Sequence, residues 1–168
     1  MCGIVGFWDL NNQHSKEQSL NIILEMTNAL KERGPDFFGV WSDDRVRLFL
    51  GYRRLSIIDL SERGAQPMVS QSGRYVIAYN GEVFNAFDLR RELEPEGYHF
   101  KGYSDTEIVL AACEFGGIEK ACNQFNGMFA FAFWGSLESK DHTCTRPYWS
   151  KASLLEHPKQ YCFFLDHS

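Results

Sequence analysis

Paired cysteines, an excess of basic charge and any long apolar run are all missing from this chain of 168 residues. The five cysteines (Cys2, Cys113, Cys122, Cys144 and Cys162) are odd in number and form no C-x-x-C pair, so neither a disulfide framework nor a zinc site is expected. Lys and Arg number 17 against 22 Asp and Glu, a formal charge of -5. That balance provides no electrostatic footprint for nucleic acid and no polybasic arm for anionic lipid. The longest apolar run, Met128 to Trp134, falls far short of the ~20 residues that cross a bilayer. Behind Met1 there is no basic segment and no sustained apolar stretch, and Asp9 comes early, so no secretory leader is expected. What remains is the composition of a globular protein, 44% hydrophobic and 23% charged. The expectation is a cytoplasmic, reduced, single-domain chain with no nucleic-acid or membrane partner.

The pattern along the chain mixes both periods. Cys2 to Trp8 alternates Gly with β-branched and aromatic residues and predicts a buried first strand. From Ser15 to Arg33 the pattern is helical: Ser15 and Gln18 make a capping box, Leu20, Ile23, Leu24 and Leu30 form an apolar stripe, and Gly34-Pro35 ends it. Strands are predicted over 37–41, 46–50, 55–58, 74–79 and 129–134. Asn85 with Asp88 predicts a short capped helix through Leu93. Ser104 with Glu107 predicts a second capping box, for a helix stopped by Gly116-Gly117. Strands in runs, rather than in strict alternation with helices, point to an α+β domain of packed antiparallel sheets.

Several polar residues stand in segments that otherwise look apolar. Removal of Met1 would make Cys2 the chain terminus, its thiol beside its own α-amine. An α-amine of ordinary pKa, ~7.7–8.0, is a usable base near neutrality for a thiol nucleophile. The plain alternative is a small Cys in a buried strand. Arg33-Gly34-Pro35-Asp36 by itself is a helix stop. Arg53-Arg54 stands at what reads as the start of a strand, where the planar fork of Arg54 suits a carboxylate, although most such arginines are merely solvated. Asn80-Gly81 followed by Glu82 reads first as a hairpin turn. Its functional alternative is an oxyanion hole made of the Asn80 amide and the Gly81 N–H. Asp105, after a helix N-cap, complements the helix dipole. Taken together these residues supply a nucleophile, a base, oxyanion donors, a carboxylate clamp and two acids for an ammonium.

The motifs occur in an order and spacing that resemble one family. They are Met1-Cys2-Gly3-Ile4-Val5-Gly6, Arg33-Gly34-Pro35-Asp36, Arg54-Leu55-Ser56-Ile57-Ile58-Asp59, Gly64-Ala65-Gln66-Pro67-Met68, Asn80-Gly81-Glu82-Val83-Phe84-Asn85, Ser104-Asp105-Thr106-Glu107 and Gly127-Met128-Phe129-Ala130-Phe131-Ala132. Over residues 1–134 the chain resembles the N-terminal glutaminase domain of glutamine-hydrolysing asparagine synthetase, a class II, N-terminal-nucleophile amidotransferase. The resemblance implies a four-layer αββα sandwich of antiparallel sheets, incomplete at its C-terminus. It implies L-glutamine as substrate, Cys2 as nucleophile, and Asn80 and Gly81 as oxyanion donors. Arg54, with the backbone of Leu55, Ser56, Ile57 and Ile58, would bind the α-carboxylate, and Glu82 and Asp105 the α-ammonium. It implies no cofactor or metal here. ATP and Mg2+ would belong to a synthetase domain, normally in cis, for which this chain carries no S-G-G-x-D-S phosphate loop. A homodimer of the parent enzyme is compatible with it.

After Trp134 the family continues in the pattern W-D-R-x-x-x-K-T-L-x-L-A-R-D-R-x-G-x-K-P-L-Y-Y, and this chain departs from it. Read one nucleotide later, codons for Thr143 through Leu155 can encode Leu-Ala-Arg-Asp-Arg-Ile-Gly-Ala-Lys-Pro-Leu-Tyr-Trp, and Gly135-Ser136 can give Asp-Arg. Residues 135–168 are therefore expected to be out of frame, with the strands that should follow Trp134 missing and a sheet edge left unpaired. Two other readings compete: an inactive frameshifted fragment, and an amidotransferase domain serving a different acceptor. A third, a glutamine-binding module without turnover, has no use for an N-terminal thiol.

Overall fold

The computed structural model describes residues 2–55 and 64–135, together with the backbone of 153–157 and 160–164. The single domain expected from composition divides into two compact units, Met1–Pro67 and Met68–Ser168. Each unit builds its own antiparallel sheet, and the division falls after Pro67.

In the first unit β1 (Gly3–Trp8), α1 (Lys16–Ala29), β2 (Phe37–Asp43) and β3 (Leu48–Arg54) form a three-stranded sheet of order β1-β3-β2 with one helix. β3 is buried from Leu48 through Arg53, as a central strand with a covered face must be. The Ser15–Gln18 capping box is present with both of its bonds. The apolar stripe of α1 differs from expectation. Its buried residues are Ser19, Ile23 and Thr27, and Leu24 is exposed. The reason is close approach. A Cβ at Gly51 would meet Thr27 Oγ1 at 2.0 Å and one at Gly3 would meet Leu30 at 3.0 Å, so glycines on β1 and β3 let a hydroxyl-bearing helix face sit down on the sheet. Thr27 stays satisfied by donating to the Ile23 carbonyl at 2.6 Å.

Asp9, just after β1, ties the far end of this sheet. Its carboxylate accepts the N–H groups of Gln13 (2.8 Å) and His14 (3.2 Å) and a 2.7 Å ion pair from Arg47. The Arg47 guanidinium holds the Asp9 carboxyl at about 2, below its ordinary 3.8. Because the folded value is depressed, the stabilisation is complete above about pH 4 and is lost as pH falls through about 2. Asp9→Asn is expected to lower stability near neutrality and to flatten the acid limb of the stability curve between those values, as read by urea unfolding at several pH values.

In the second unit β4 (Met68–Val69), β5 (Tyr75–Val83), β6 (Gly127–Gly135), β7 (Ser153–His157) and β8 (Gln160–Phe164) form a sheet of order β4-β5-β6-β8-β7. Its helices are α2 (Ala86–Leu93), a 3₁₀ turn Glu94–Glu96, α3 (Asp105–Gly116) and α4 (Ile118–Gln124). Ile77, Tyr79, Val83, Phe131 and Phe133 of β5 and β6 pack with Leu89 and Leu93 of α2 and Ile108 to Cys113 of α3 in one buried cluster. Neither expected cap forms here. Asn85 makes no side-chain cap and instead pins the entry to β6, donating to the Gln124 carbonyl and accepting from Asn126 N–H, both at 2.8 Å. Ser104 makes none either, and the Glu107 carboxylate accepts from Lys101 and Gly102 N–H groups. The expected unpaired edge after Trp134 is also corrected. β8 pairs with β6 at Trp134↔Cys162 and runs antiparallel to β7 on its other side.

Candidate active site

The first unit brings Cys2, Arg54 and Leu55 together. Cys2 precedes β1, and the register Gly3↔Arg53 carries the chain start to the end of β3. The Cys2 thiol donates toward the Leu55 carbonyl at 3.8 Å, while the Leu55 N–H donates to the sulfur at 3.4 Å. That N–H is a main-chain donor aimed at the sulfur. Arg54 is at the end of β3, not at the start of a strand, because β3 runs unbroken from Leu48. The guanidinium of Arg54 lies against Gly64, where a Cβ would come within 2.7 Å of Nη2. Ser56, Ile57 and Ile58 lie outside the described residues.

The Arg33-Gly34-Pro35-Asp36 segment does more than stop a helix. A Cβ on Gly34 would fall 2.5 Å from the Arg53 carbonyl carbon and 2.6 Å from the Arg54 nitrogen, and the Asp36 N–H donates to the Arg54 carbonyl at 3.1 Å. The loop after α1 therefore clamps the backbone that carries Arg54. Gly34→Ala forces backbone apart, and overpacking of this kind costs about 1–3 kcal/mol. The expected result is a lower urea midpoint at unchanged slope.

Two neighbouring arginines divide the labour, a distinction the sequence reading did not make. Arg53 is buried, donating from Nε to the Thr27 carbonyl at 3.0 Å and from Nη2 to Asn28 Oδ1, with Phe38 stacked at 5.0 Å. It closes the C-terminal end of α1, whose last turn has no basic residue of its own. Alternation along β3 sends Arg54 to the other face.

In the second unit Asn80, Gly81 and Glu82 are consecutive on β5, paired with Ala130, Phe129 and Met128 of β6. The hairpin turn that Asn80-Gly81 suggests is thus excluded, for the strand continues to Val83. Gly81 is required by close approach: a Cβ there would meet the Met128 carbonyl at 2.4 Å, and one on Gly127 the Glu82 carbonyl at 2.0 Å. Asp105 opens α3 and is fastened to the same strand. Its Oδ2 accepts from the Tyr79 hydroxyl at 2.8 Å and from the Val83 N–H at 3.1 Å. From sequence Tyr79 is only the end of a predicted strand and Val83 one residue of the Asn80–Asn85 motif, with no sign of a tie to Asp105.

The other described cysteines do not compete with Cys2. Cys113 is buried in α3 and burial pushes its thiol up, as it does that of Cys122, to about 11. Neither yields a thiolate readily near neutrality. Among the described residues no cluster of His, Cys, Asp and Glu has the makings of a metal site, and no helix is long and apolar enough to cross a membrane.

The two antiparallel sheets with their helices make an α+β fold that is shared with a solved amidotransferase. The structure superposes on glutamine phosphoribosylpyrophosphate amidotransferase from B. subtilis, solved with ADP and GMP, at a TM-score of 0.60 and 20% identity, covering 97% of this chain and 41% of that one. A family model described as a glutamine amidotransferase domain matches residues 1–153, and the chain belongs to that family. It is 42% identical over 137 residues to asparagine synthetase [glutamine-hydrolyzing] 1 of Bacillus subtilis (strain 168), covering 80% of this chain and 21% of that protein. It is 35% identical over 147 residues to asparagine synthetase B [glutamine-hydrolyzing] of Escherichia coli (strain K12), covering 84% of this chain and 25% of the relative. Amidase chry2 of Gibberella zeae is 36% identical over 142 residues, with 80% and 21% covered. The chain thus spans a fifth to a quarter of the length of these relatives. The family membership expected from its motifs is borne out.

Proposed function

We propose that this chain is a glutaminase, hydrolysing L-glutamine to glutamate and ammonia through a γ-glutamyl thioester on Cys2. The observation that carries the reading is the thiol at the head of β1, seated against the Leu55 backbone one residue from Arg54. With Met1 removed, the α-amine of Cys2 takes the thiol proton as sulfur attacks the side-chain amide carbon. Asn80 and Gly81 donate to the oxyanion. Collapse expels the amide nitrogen, which takes that proton and leaves as ammonia. Water, deprotonated by the same amine, then attacks the thioester, and glutamate departs as the thiol is restored. Arg54, with the backbone from Leu55 through Ile58, binds the substrate carboxylate in a two-pronged grip, and Glu82 and Asp105 bind its ammonium.

In this reading the ammonia serves ATP-dependent conversion of aspartate to asparagine by a synthetase part, to which ATP and Mg2+ belong. The likeness to relatives called glutamine-hydrolysing asparagine synthetases supports that acceptor. The comparable likeness to a protein called an amidase favours, as the second reading, an amidotransferase domain with another acceptor. The test is release of glutamate and ammonia in equal amounts from L-glutamine by the folded full chain. A chain that melts cooperatively and releases neither overturns the reading.

Residues 135–168 are, in the same reading, translated out of frame by one inserted nucleotide after the Trp134 codon. The family pattern that resumes in the shifted frame supports it. Resequencing the coding DNA across that codon tests it: loss of the extra nucleotide restores W-D-R after the strand, and its persistence establishes the tail as the translated product.

A further inference from the structure

We infer that Tyr79 is the positioning residue for the ammonium-binding carboxylate of Asp105, and so a determinant of selectivity for substrates that carry an α-ammonium. This rests on the proposed glutaminase reading and goes beyond it, since Tyr79 belongs to none of the motifs that identify the family. Tyr79 is 2% exposed, with its ring fixed in the cluster of Ile77, Val83, Leu89, Ile108 and Phe131. Two torsions, both held by packing, deliver its hydroxyl to Asp105 Oδ2 at 2.8 Å. The Val83 N–H reaches the same oxygen at 3.1 Å. Two donors on one carboxylate oxygen, both from β5, set the orientation of the carboxyl plane relative to the strand that carries Asn80, Gly81 and Glu82.

Asp105 needs such support. It stands in the first turn of α3, partly exposed, and the helix has no side-chain cap to stiffen its start. A carboxylate in a first turn without a side-chain cap, left to itself, samples several rotamers, and an ammonium that binds it must pay to select one. The tyrosine hydroxyl removes that cost before substrate arrives, and it does so from the rigid side of the pair.

The test uses the full chain and four proteins: wild type, Tyr79→Phe, Asp105→Asn and the double variant. Tyr79→Phe keeps the ring and its packing and removes only the hydroxyl. A hydrogen bond to a charged group is worth roughly 10-fold or more in equilibrium terms, and part of it is retained here through Val83, so KM for glutamine is expected to rise roughly 5- to 20-fold. The kcat is expected to stay within about twofold, because the bond serves ground and transition states alike. The inhibition constant of 4-carbamoylbutanoate, which has the amide and carboxylate but no ammonium, is expected not to change. In the Asp105→Asn background Tyr79→Phe is expected to add almost nothing, as for two residues acting in series.

Equal weakening of glutamine and 4-carbamoylbutanoate, a fall in kcat at constant KM, or an undiminished effect in the Asp105→Asn background would each overturn the inference while leaving the glutaminase reading intact. A wild-type chain that neither hydrolyses glutamine nor binds it by calorimetry overturns the glutaminase reading and this inference together.

Discussion

Cys2→Ala is expected to lower glutamate release by roughly 10⁴- to 10⁶-fold, the range in which removal of a nucleophile that works as a unit with its base falls. The size of the effect follows from the lack of a substitute among the described cysteine side chains. Cys113 and Cys122 are held as thiols by burial, Cys122 with a pKa of about 11. No other described cysteine has an N–H donated to its sulfur as Leu55 donates to Cys2. Binding should survive, because the methyl of alanine removes one sulfur and leaves Arg54, Glu82 and Asp105 in place. Glutamine should therefore still raise the melting temperature of Cys2→Ala by mass action. Steady-state glutamate release and a melting curve with and without glutamine check the two halves of this statement.

Asn80→Ala is expected to separate the same two quantities in another way. One oxyanion donor is typically worth 10²–10³ in kcat, since it meets charge that exists only in the transition state. KM should move little. The fold should tolerate the change, because Asn80 is only half-buried on β5 and its ladder with Ala130 is made by main chain. A loss shared between KM and stability would assign Asn80 to the architecture of the strand instead. Gly81 is a poorer probe of the oxyanion hole, because any side chain there collides with the Met128 carbonyl before chemistry is reached.

Local features of this fold could be read from neighbouring residues, whereas those set by register could not. The Ser15–Gln18 box involves residues three apart, and it formed as expected. The first strand, α3 and the apolar β6 were likewise visible in period and composition. The second capping box failed because Glu107 has a closer use, the N–H groups of Lys101 and Gly102 in the loop before the helix. Asn80-Gly81 resembled a turn because the dipeptide is a strong local signal. Only the nine-residue pairing of β5 with β6 shows that the glycine is there to let two backbones pass closely.

The chemistry followed the same division. Cys2 could be singled out from its place behind Met1. The Tyr79–Asp105 bond spans 26 residues and joins a strand interior to a helix start, so nothing local announces it. The different tasks of Arg53 and Arg54 follow from strand alternation. They became visible once β3 was seen to continue through both, with one guanidinium turned to α1 and the other to Gly64. Gly34 had the same fate: a helix stop in sequence, a backbone contact with Arg53 and Arg54 in the fold.

The central claim is that Cys2, as the chain's first residue, is acylated by glutamine. Intact-mass spectrometry of the full chain, acid-quenched during turnover of L-glutamine, tests it directly. The account predicts a mass lacking Met1 and, on a fraction of molecules, one added γ-glutamyl group that maps to Cys2 and disappears in Cys2→Ala. Glutamate release by a chain that retains Met1, or turnover at an undiminished rate in Cys2→Ala, would contradict it.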